Sequence, residues 1–344
     1  MRTVTGTLET AQTAASRVPY IHLLFTSQDG TTTYDYSGST SRLLKIYHVE
    51  SPYSGYATVT LNNNDLAVPD LRSYWTEIGY GDVTAGGNEY EATPRLKAKK
   101  QTTMSSEGTL LTVLYLEDCW GDMEEFNLAY GTAPEFYRLF DRDTTPLDIM
   151  DEIITDAGFT LNAPAAEDSI IDTFLPYFEI NADNDSGTSL VYEDAKAVLY
   201  RLIMMTMSYL KPMPAKEFDI AYPQNGDASA LTITTSGFYE YHKVENELLP
   251  NVIVVYCNQD ADGGWTGLVT GIAQDDAAID RNGSRRVYAY YYAPTIEAQT
   301  DADARAAAIL SRIRAEISSI GVVIPHDCRL ELYDNITITD TRGT

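Results

Sequence analysis

The stretch Arg42–Asp65 reads RLLKIYHVESPYSGYATVTLNNND, and its phase decides the class of fold. Ala57, Val59 and Leu61 alternate with Thr58 and Thr60, the period-2 pattern of a strand with one buried face. An apolar run from Leu43 precedes it, a Pro-Tyr-Ser-Gly-Tyr turn joins the two, and an Asn-rich turn follows. Working outward, Leu111, Val113 and Tyr115 alternate with Thr112 and Leu114, which predicts a second strand with the first set inward. Asp29-Gly30, the stretch around Gly79–Gly81 and Gly86-Gly87 supply turns between such runs. This spacing predicts an antiparallel barrel or sandwich over residues 1–140.

The pattern then changes. Thr145-Pro146-Leu147-Asp148 carries the marks of a helix start: a capping Thr, Pro in the first turn and an acid at the positive end of the dipole. Leu147, Met150, Ile153 and Ile154 form its apolar stripe, and Gly158 ends it. A second helix is predicted from Glu193 to Tyr209, with Val198, Leu199, Leu202, Ile203 and Met207 inward and Lys211-Pro212 closing it. Alternation over Glu217–Tyr222 predicts a strand. Residues 141–235 therefore read as an inserted α+β domain.

Strands return in residues 236–344. Asn251–Cys257 is apolar on both faces, as a central strand covered on both sides requires. Val287–Tyr292 is a tyrosine-rich strand. Thr300 opens a helix predicted to run through Ile320, with Ala306, Ile309, Leu310, Ile313 and Ile317 inward and Gly321 as its stop. Leu330-Leu332 and Ile336-Ile338 then read as short strands around Asp334-Asn335. The fold class is thus mainly β with an α+β insertion: two β-barrel-like domains flanking a smaller domain that contains helices.

Composition narrows function. The chain has 344 residues, 50 Asp+Glu against 24 Lys+Arg, a net charge of −26 and 25 tyrosines. So acidic a chain argues against autonomous binding to nucleic acid or anionic membrane, which need basic patches. Cys119, Cys257 and Cys328 are too scattered for a zinc knuckle or redox dithiol, and read as buried reduced thiols of a protein assembled in cytoplasm. Met1–Arg17 has no apolar core of signal-peptide length. No run approaches the apolar length of a membrane span.

Few motifs carry chemistry. There is no nucleophile elbow, Walker sequence, zincin helix or kinase set. Gly79-Tyr80-Gly81 has Thr84 where a phosphate-binding fingerprint needs its third Gly. His326-Asp327-Cys328 alternates across a strand-like segment, which disfavours one shared metal. Asn258–Gly263 and Asn181–Gly187 imitate calcium loops without the full ligand spacing. The acid pairs Glu124-Glu125, Asp141/Asp143 and Asp275-Asp276 read as solvated surface. No cofactor and no catalytic residue is predicted.

Two stripes are candidate contact surfaces. Arg95, Lys97 and Lys99 share one face of a strand, either as charged protection of an edge or as a docking stripe for an acidic neighbour. Tyr288, Tyr290 and Tyr292 share another face, suited to core or sheet-surface packing more than to sugar stacking.

Four segments together resemble the tail-tip or baseplate hub proteins of tailed bacteriophages. That fold is shared by contractile-tail hubs and the N-terminal part of type VI secretion spike proteins. The segments are RLLKIYHVESPYSGYATVTLNNND, DTTPLDIMDEIITDAGF at Asp143–Phe159, LPNVIVVY at Leu249–Tyr256, and the Thr300–Gly343 unit with LELYDNITITD. Cys257 and Tyr333 stand where Gly is usual in the family. The resemblance implies a non-enzymatic virion protein assembled as a homotrimer of paired barrels, adapting a sixfold tail tube to a threefold tip. It also implies a tail tube or distal tail protein, a tape-measure protein and a spike, fibre or receptor-binding protein as partners, with DNA passing unbound through the lumen. Two other classes remain open from the residues: a host-surface carbohydrate-binding adhesion module, and an acidic hydrolase.

Overall fold

The computed structural model describes residues 1–106, 108–128, 138–166, 168, 170–180, 193–224, 227–234, 237–258, 264, 267–293 and 296–339. The first part is built on one antiparallel sheet. Its strands are β1 (Pro19–Thr26), β2 (Thr33–Asp35), β3 (Leu43–Val49), β4 (Tyr56–Asn62), β5 (Trp75–Thr84), β6 (Gly87–Ala92), β7 (Leu96–Ser106) and β8 (Thr109–Asp118). They lie in the order β2-β1-β5-β7-β8-β4-β3, with β6 paired on β5. Helix α1 (Gly6–Thr13) precedes them, capped by the Thr5 hydroxyl.

β4 buries Ala57, Val59 and Leu61 as its alternation predicts. β8 does the reverse: Thr112, Leu114 and Leu116 are buried and Tyr115 is exposed. Register explains it, because Thr112, Leu114 and Leu116 stand opposite Leu61, Val59 and Ala57, and cross-strand partners share a face. The inward Thr112 hydroxyl is satisfied by the Asn63 amide, which donates to it at 3.0 Å. Gly79 and Gly81 lie inside β5, where β6 approaches so closely that a Cβ on Gly81 would sit 1.9 Å from the Glu89 carbonyl oxygen.

The predicted first barrel is not closed. Among the described residues no ladder joins the end strands β2 and β3. The sheet curls all the same, since the His48 imidazole on β3 reaches back to the Tyr80 hydroxyl on β5, Nδ1 to OH 3.2 Å. Inside the curl lie Leu23, Phe25, Ile78, Leu96, Leu114 and Leu116.

Asp118 ends β8 and caps α2 (Cys119–Glu125), its carboxylate accepting from the Trp120 N–H at 3.0 Å. α3 (Pro146–Asp156) starts at the Thr145 cap and buries Ile149, Met150, Ile153 and Ile154, and Gly158 follows it at φ 80°. α4 (Ala195–Ile203) is shorter than predicted. Small ladders frame these helices: β9 (Arg138–Asp141) with β11 (Tyr177–Ile180), and β10 (Thr160–Leu161) with β13 (Glu217–Ala221) and β12 (Tyr209–Pro212). Trp120 and Phe218 meet edge to face at the centre, 5.0 Å apart. Tyr53, from the turn before β4, fits between Trp120 and Tyr200.

The C-terminal part holds β14 (Leu231–Thr234), β15 (Glu240–Glu245), β16 (Val252–Cys257), β17 (Val269–Gln274), α5 (Asp276–Arg281), β18 (Tyr288–Ala293), α6 (Gln299–Ile317), β19 (Ser318–Val323) and β20 (Ile336–Thr339). β16 is central, between antiparallel β17 and parallel β18. β14 pairs with β20 and β15 with β19. Residues 330–332 form no strand. This part is also no closed barrel among the described residues, because α6 covers one face of β16 where a barrel would place strands. Contact there is close: a Cβ on Gly271 would sit 1.9 Å from the Ala302 carbonyl oxygen. The whole is mixed α/β and rich in strand.

α6 also explains why α4 stops early. Arg312 is buried and donates to the carbonyls of Ile203, Thr206 and Ser208 at 2.8, 3.0 and 2.7 Å. Arg305 donates to the Met204 carbonyl. Buried Asp168 accepts from the Met207 N–H at 3.0 Å and the Ser208 hydroxyl at 2.7 Å. Cations at the negative end of a helix are favourable, and here they satisfy the carbonyls that a helix end leaves free. Arg312→Met should therefore cost about 3 kcal/mol or more, read as a lower urea midpoint, since three carbonyls each lose a charged, buried donor. A midpoint unchanged from wild type would refute this account.

Candidate functional site

The basic stripe is held within the chain. Lys97 and Lys99 both donate to Asp122 of α2, at 2.5 and 3.0 Å, and Lys99 also pairs with Glu125 at 2.8 Å. A bulge between Ala98 and Lys100 turns Lys99 toward the same acid. Arg95 and Lys97 each lie 5.6 Å from the Trp75 ring, within cation–π range. β7 pairs with β8 along its length and with β5 only at Leu96 and Lys97. The three residues are therefore brought together, with their charge directed at α2 and Trp75.

The tyrosine stripe is on the surface. Tyr288, Tyr290 and Tyr292 stand beside Val252, Val254 and Tyr256 of β16 and are 46%, 55% and 70% exposed. Tyr288 and Tyr290 stack at 6.1 Å and 10°, and Tyr256 stacks on Tyr290 at 6.0 Å and 15°. Ile272 of β17, opposite Val254, is exposed on the same face. Ile279 of α5 covers only the end near Val252 and Val254. An exposed face of stacked aromatic rings of this kind is suited to contact with another surface.

The segments quoted for metals and acids are used locally. Asp327 grips Arg329 at 2.9 and 2.7 Å, His326 leans on the Tyr80 ring at 4.5 Å, and burial pushes the Cys328 thiol up to about 11. Among the described residues no three potential ligands converge on a metal position. Glu124 pairs with Lys196 at 2.7 Å, and Asp275 caps α5 while binding Arg314 at 2.7 Å. The Asn181–Gly187 loop and residues 259–263 of the other Asn/Asp loop lie outside the described residues. Cys119, Cys257 and Cys328 are free and buried.

A joint the sequence did not point to ties α1 and the first sheet to residues 326–334. The Arg2 N–H and guanidinium donate to the carbonyls of Arg329 and Leu330 at 2.8 and 2.7 Å. The same guanidinium holds Glu50 at 2.7 Å, and Arg329 reaches Glu9 at 2.9 Å. Tyr333 adopts φ 71°, in the left-handed region that side-chain-bearing residues seldom enter. Its ring lies 4.7 Å from that of Tyr209.

Two cavities border these elements. One, of about 180 Å³, is lined by Tyr56, Tyr115, Asp118, Trp120, Glu124 and Lys196. There burial pushes the Asp118 carboxyl up to about 7 against the pull of the Gly55 and Trp120 N–H groups. The other, of about 230 Å³, lies between α1, β1, β5 and His326. Its acid, Asp82, follows Gly79-Tyr80-Gly81, a stretch that reads as a turn, so spacing did not point to it.

No family model matches the sequence, and no curated protein matches it. Solved structures do. A tail protein from Neisseria meningitidis MC58 superposes with a TM-score of 0.63 at 10% identity, over 94% of this chain and 87% of that one. The 43 kDa tail protein of prophage MuSo2 from Shewanella oneidensis gives 0.56 at 12% identity, over 89% and 82%. The chain has the fold of these tail proteins along nearly its whole length.

The joint carries a pH dependence. Burial, with Arg2 nearby, holds His48 down at about 4, and burial with Arg17 lowers His326. Glu50, Asp82 and Asp327 are the acids on neighbouring elements. A depressed histidine binds fewer protons folded than unfolded, so stability is full above the ordinary value near 6.5 and falls as pH drops toward 4. His48→Gln should flatten that acid limb by about 2 kcal/mol in denaturant titrations between these pH values. An acid limb identical to wild type would exclude His48 as its source.

Proposed function

We propose that the chain is a structural hub of a phage tail tip or baseplate, a homotrimeric ring between the sixfold tail tube and a threefold tip. The observation that carries this reading is a fold shared with two tail proteins over 94% and 89% of the chain. The sequence carries no nucleophile or metal motif, which agrees with a non-enzymatic adaptor. In this reading residues 1–140, 141–235 and 236–344 are its three domains. Its neighbours are a tail tube or distal tail protein, a tape-measure protein and a spike, fibre or receptor-binding protein. Part of the −26 charge lines the lumen and keeps passing DNA from adhering, because like charges repel within about a Debye length.

The exposed tyrosine face is the proposed subunit contact, with the Arg95 stripe as a second. Lys97 and Lys99 hold Asp122, so reversing them would disturb α2 as well as docking. Arg95→Glu is the cleaner probe. Native mass spectrometry of the chain with its tail partners, and electron microscopy of assembled particles, should show threefold copies on the tail axis. Tyr288, Tyr290 and Tyr292 changed together to Ser should shift trimers toward monomers by tenfold or more, while the thermal midpoint stays near wild type. Monomers located away from the axis would sink the hub. The exposed rings also favour a second reading, a carbohydrate-binding adhesion module, which requires the isolated chain to bind polysaccharide through that face.

A further inference from the structure

Along β4, β8 and β7 the outer face of the first sheet is open. Thr58 of β4, Tyr115 of β8 and Lys100 of β7 stand in one row across the three strands, and Thr60, Val113 and Thr102 stand in the next. Neighbouring strands are about 4.8 Å apart and alternate residues about 7 Å, so Thr58 and Lys100 flank Tyr115 at one strand spacing on either side. A groove of about 400 Å³ opens over these rows, lined by Thr58, Lys100, Thr102, Val113 and Tyr115. Solvent reaches its groups: Lys100, Thr102 and Tyr115 are exposed, and Thr58 and Val113 are half-buried.

Aromatic surface continues beyond the groove. Tyr115 stacks beside Tyr56 at 6.2 Å and 28°, and Tyr56 meets Tyr47 of β3 at 6.1 Å. Lys45, two residues before Tyr47, is a second exposed cation on this face, in line with Thr60 and Val113. Neither Lys45 nor Lys100 has an ion-pair partner among the described residues, although acids outnumber Lys+Arg in the chain by 50 to 24. Glu117, the next outward residue of β8, lies over α2, where a Cβ on Gly121 would meet its Oε2 at 2.6 Å. The groove is thus locally positive on a negative molecule, and its charge complements an anion.

We propose that this groove binds an anionic glycan, with one acidic sugar unit seated over Tyr115. The C–H face of the sugar lies on the ring, its carboxylate meets the Lys100 ammonium, and its hydroxyls exchange hydrogen bonds with Thr58 and Thr102. Further units cross β4 toward Tyr47 and Lys45, about 10 Å or two strand spacings away. An acidic side chain of a protein would use Lys100 alone and leave the ring and both hydroxyls uncovered. The volume falls within the roughly 300–1,000 Å³ of ligand sites. No residue of the Tyr288 face takes part, so the site rests neither on the hub reading nor on adhesion through that face.

Saturation-transfer NMR of the full chain with methyl glucuronide, the methyl glycoside of N-acetylneuraminic acid and neutral methyl glucoside tests it. At least one acidic glycoside should bind with a Kd of about 1 mM or tighter, and methyl glucoside about fivefold more weakly or not at all. Lys100→Gln and Tyr115→Ala should each weaken acidic binding about fivefold or more, with thermal midpoints near wild type because both side chains are exposed. Tyr290→Ala should leave it unchanged. Transfer to neither acidic glycoside, equal affinity for the neutral one, binding indifferent to Lys100→Gln, or binding lost in Tyr290→Ala would each overturn the site. A hexaglutamate peptide that binds through Lys100 where both acidic glycosides fail would overturn it too, in favour of an acidic protein surface. Oligomeric state, measured separately, decides the hub, so the two failures are distinct.

Discussion

The Arg312 guanidinium is the interaction on which the rest depends. It leaves the C-terminal helix, enters the end of α4 and spends its donors on carbonyls at 203, 206 and 208. The same segment is held from the other side by Asp168. The turn between α4 and β12 therefore has no independent existence. Its backbone polar groups are satisfied by side chains from two distant parts of the chain, as buried backbone requires. The tyrosine ring of Tyr209 lies under the guanidinium at 4.6 Å, which adds attraction in a site shielded from water.

Helix α3, the central strand β16 and the bodies of α4 and α6 were legible because their patterns are local, although α6 ends at Ile317 and Gly321 lies inside β19 and does not stop the helix. A capping Thr, a Pro in the first turn and a closing Gly leave α3 little choice, and β16 is apolar on both faces, with only Tyr256 left half-buried. The phase of β8 was not legible, since Leu111 and Val113 compete with Leu114 and Leu116 for the inward side. Only the register with β4 decides between them. The end of α4 was hidden for a similar reason: Met204, Met205 and Met207 continue an apolar run, and the groups that stop it lie far away in sequence. Curvature was partly legible from regular strand spacing, but closure depends on pairing between end strands, which spacing does not specify.

Surfaces follow the same division. That Tyr288, Tyr290 and Tyr292 share a face follows from period 2; that the face is open depends on which side α6 covers. The shared phase of Lys97 and Lys99 was visible, while their common acid on α2 required the sheet to turn after Asp118. Asp82 follows a stretch that reads as a turn, and Gln12, Arg17 and His326 are brought near it only by folding. Chemistry assembled from distant residues is invisible to spacing, and this molecule keeps most of its polar chemistry in such places.

The joint of α1 to the residues around Arg329 has a consequence for the order of synthesis. Glu9 and Arg329 are separated by 320 positions, so at ribosomal rates of about 5–20 residues per second the first helix waits tens of seconds for its partner. During that interval α1 has only Leu8 to hide, and a segment so polar tolerates the delay without attracting other chains. The first sheet, whose partners are near in sequence, closes its core earlier. The seam therefore forms only after the residues around Arg329 have been made, long after the strands of the first sheet have met their partners.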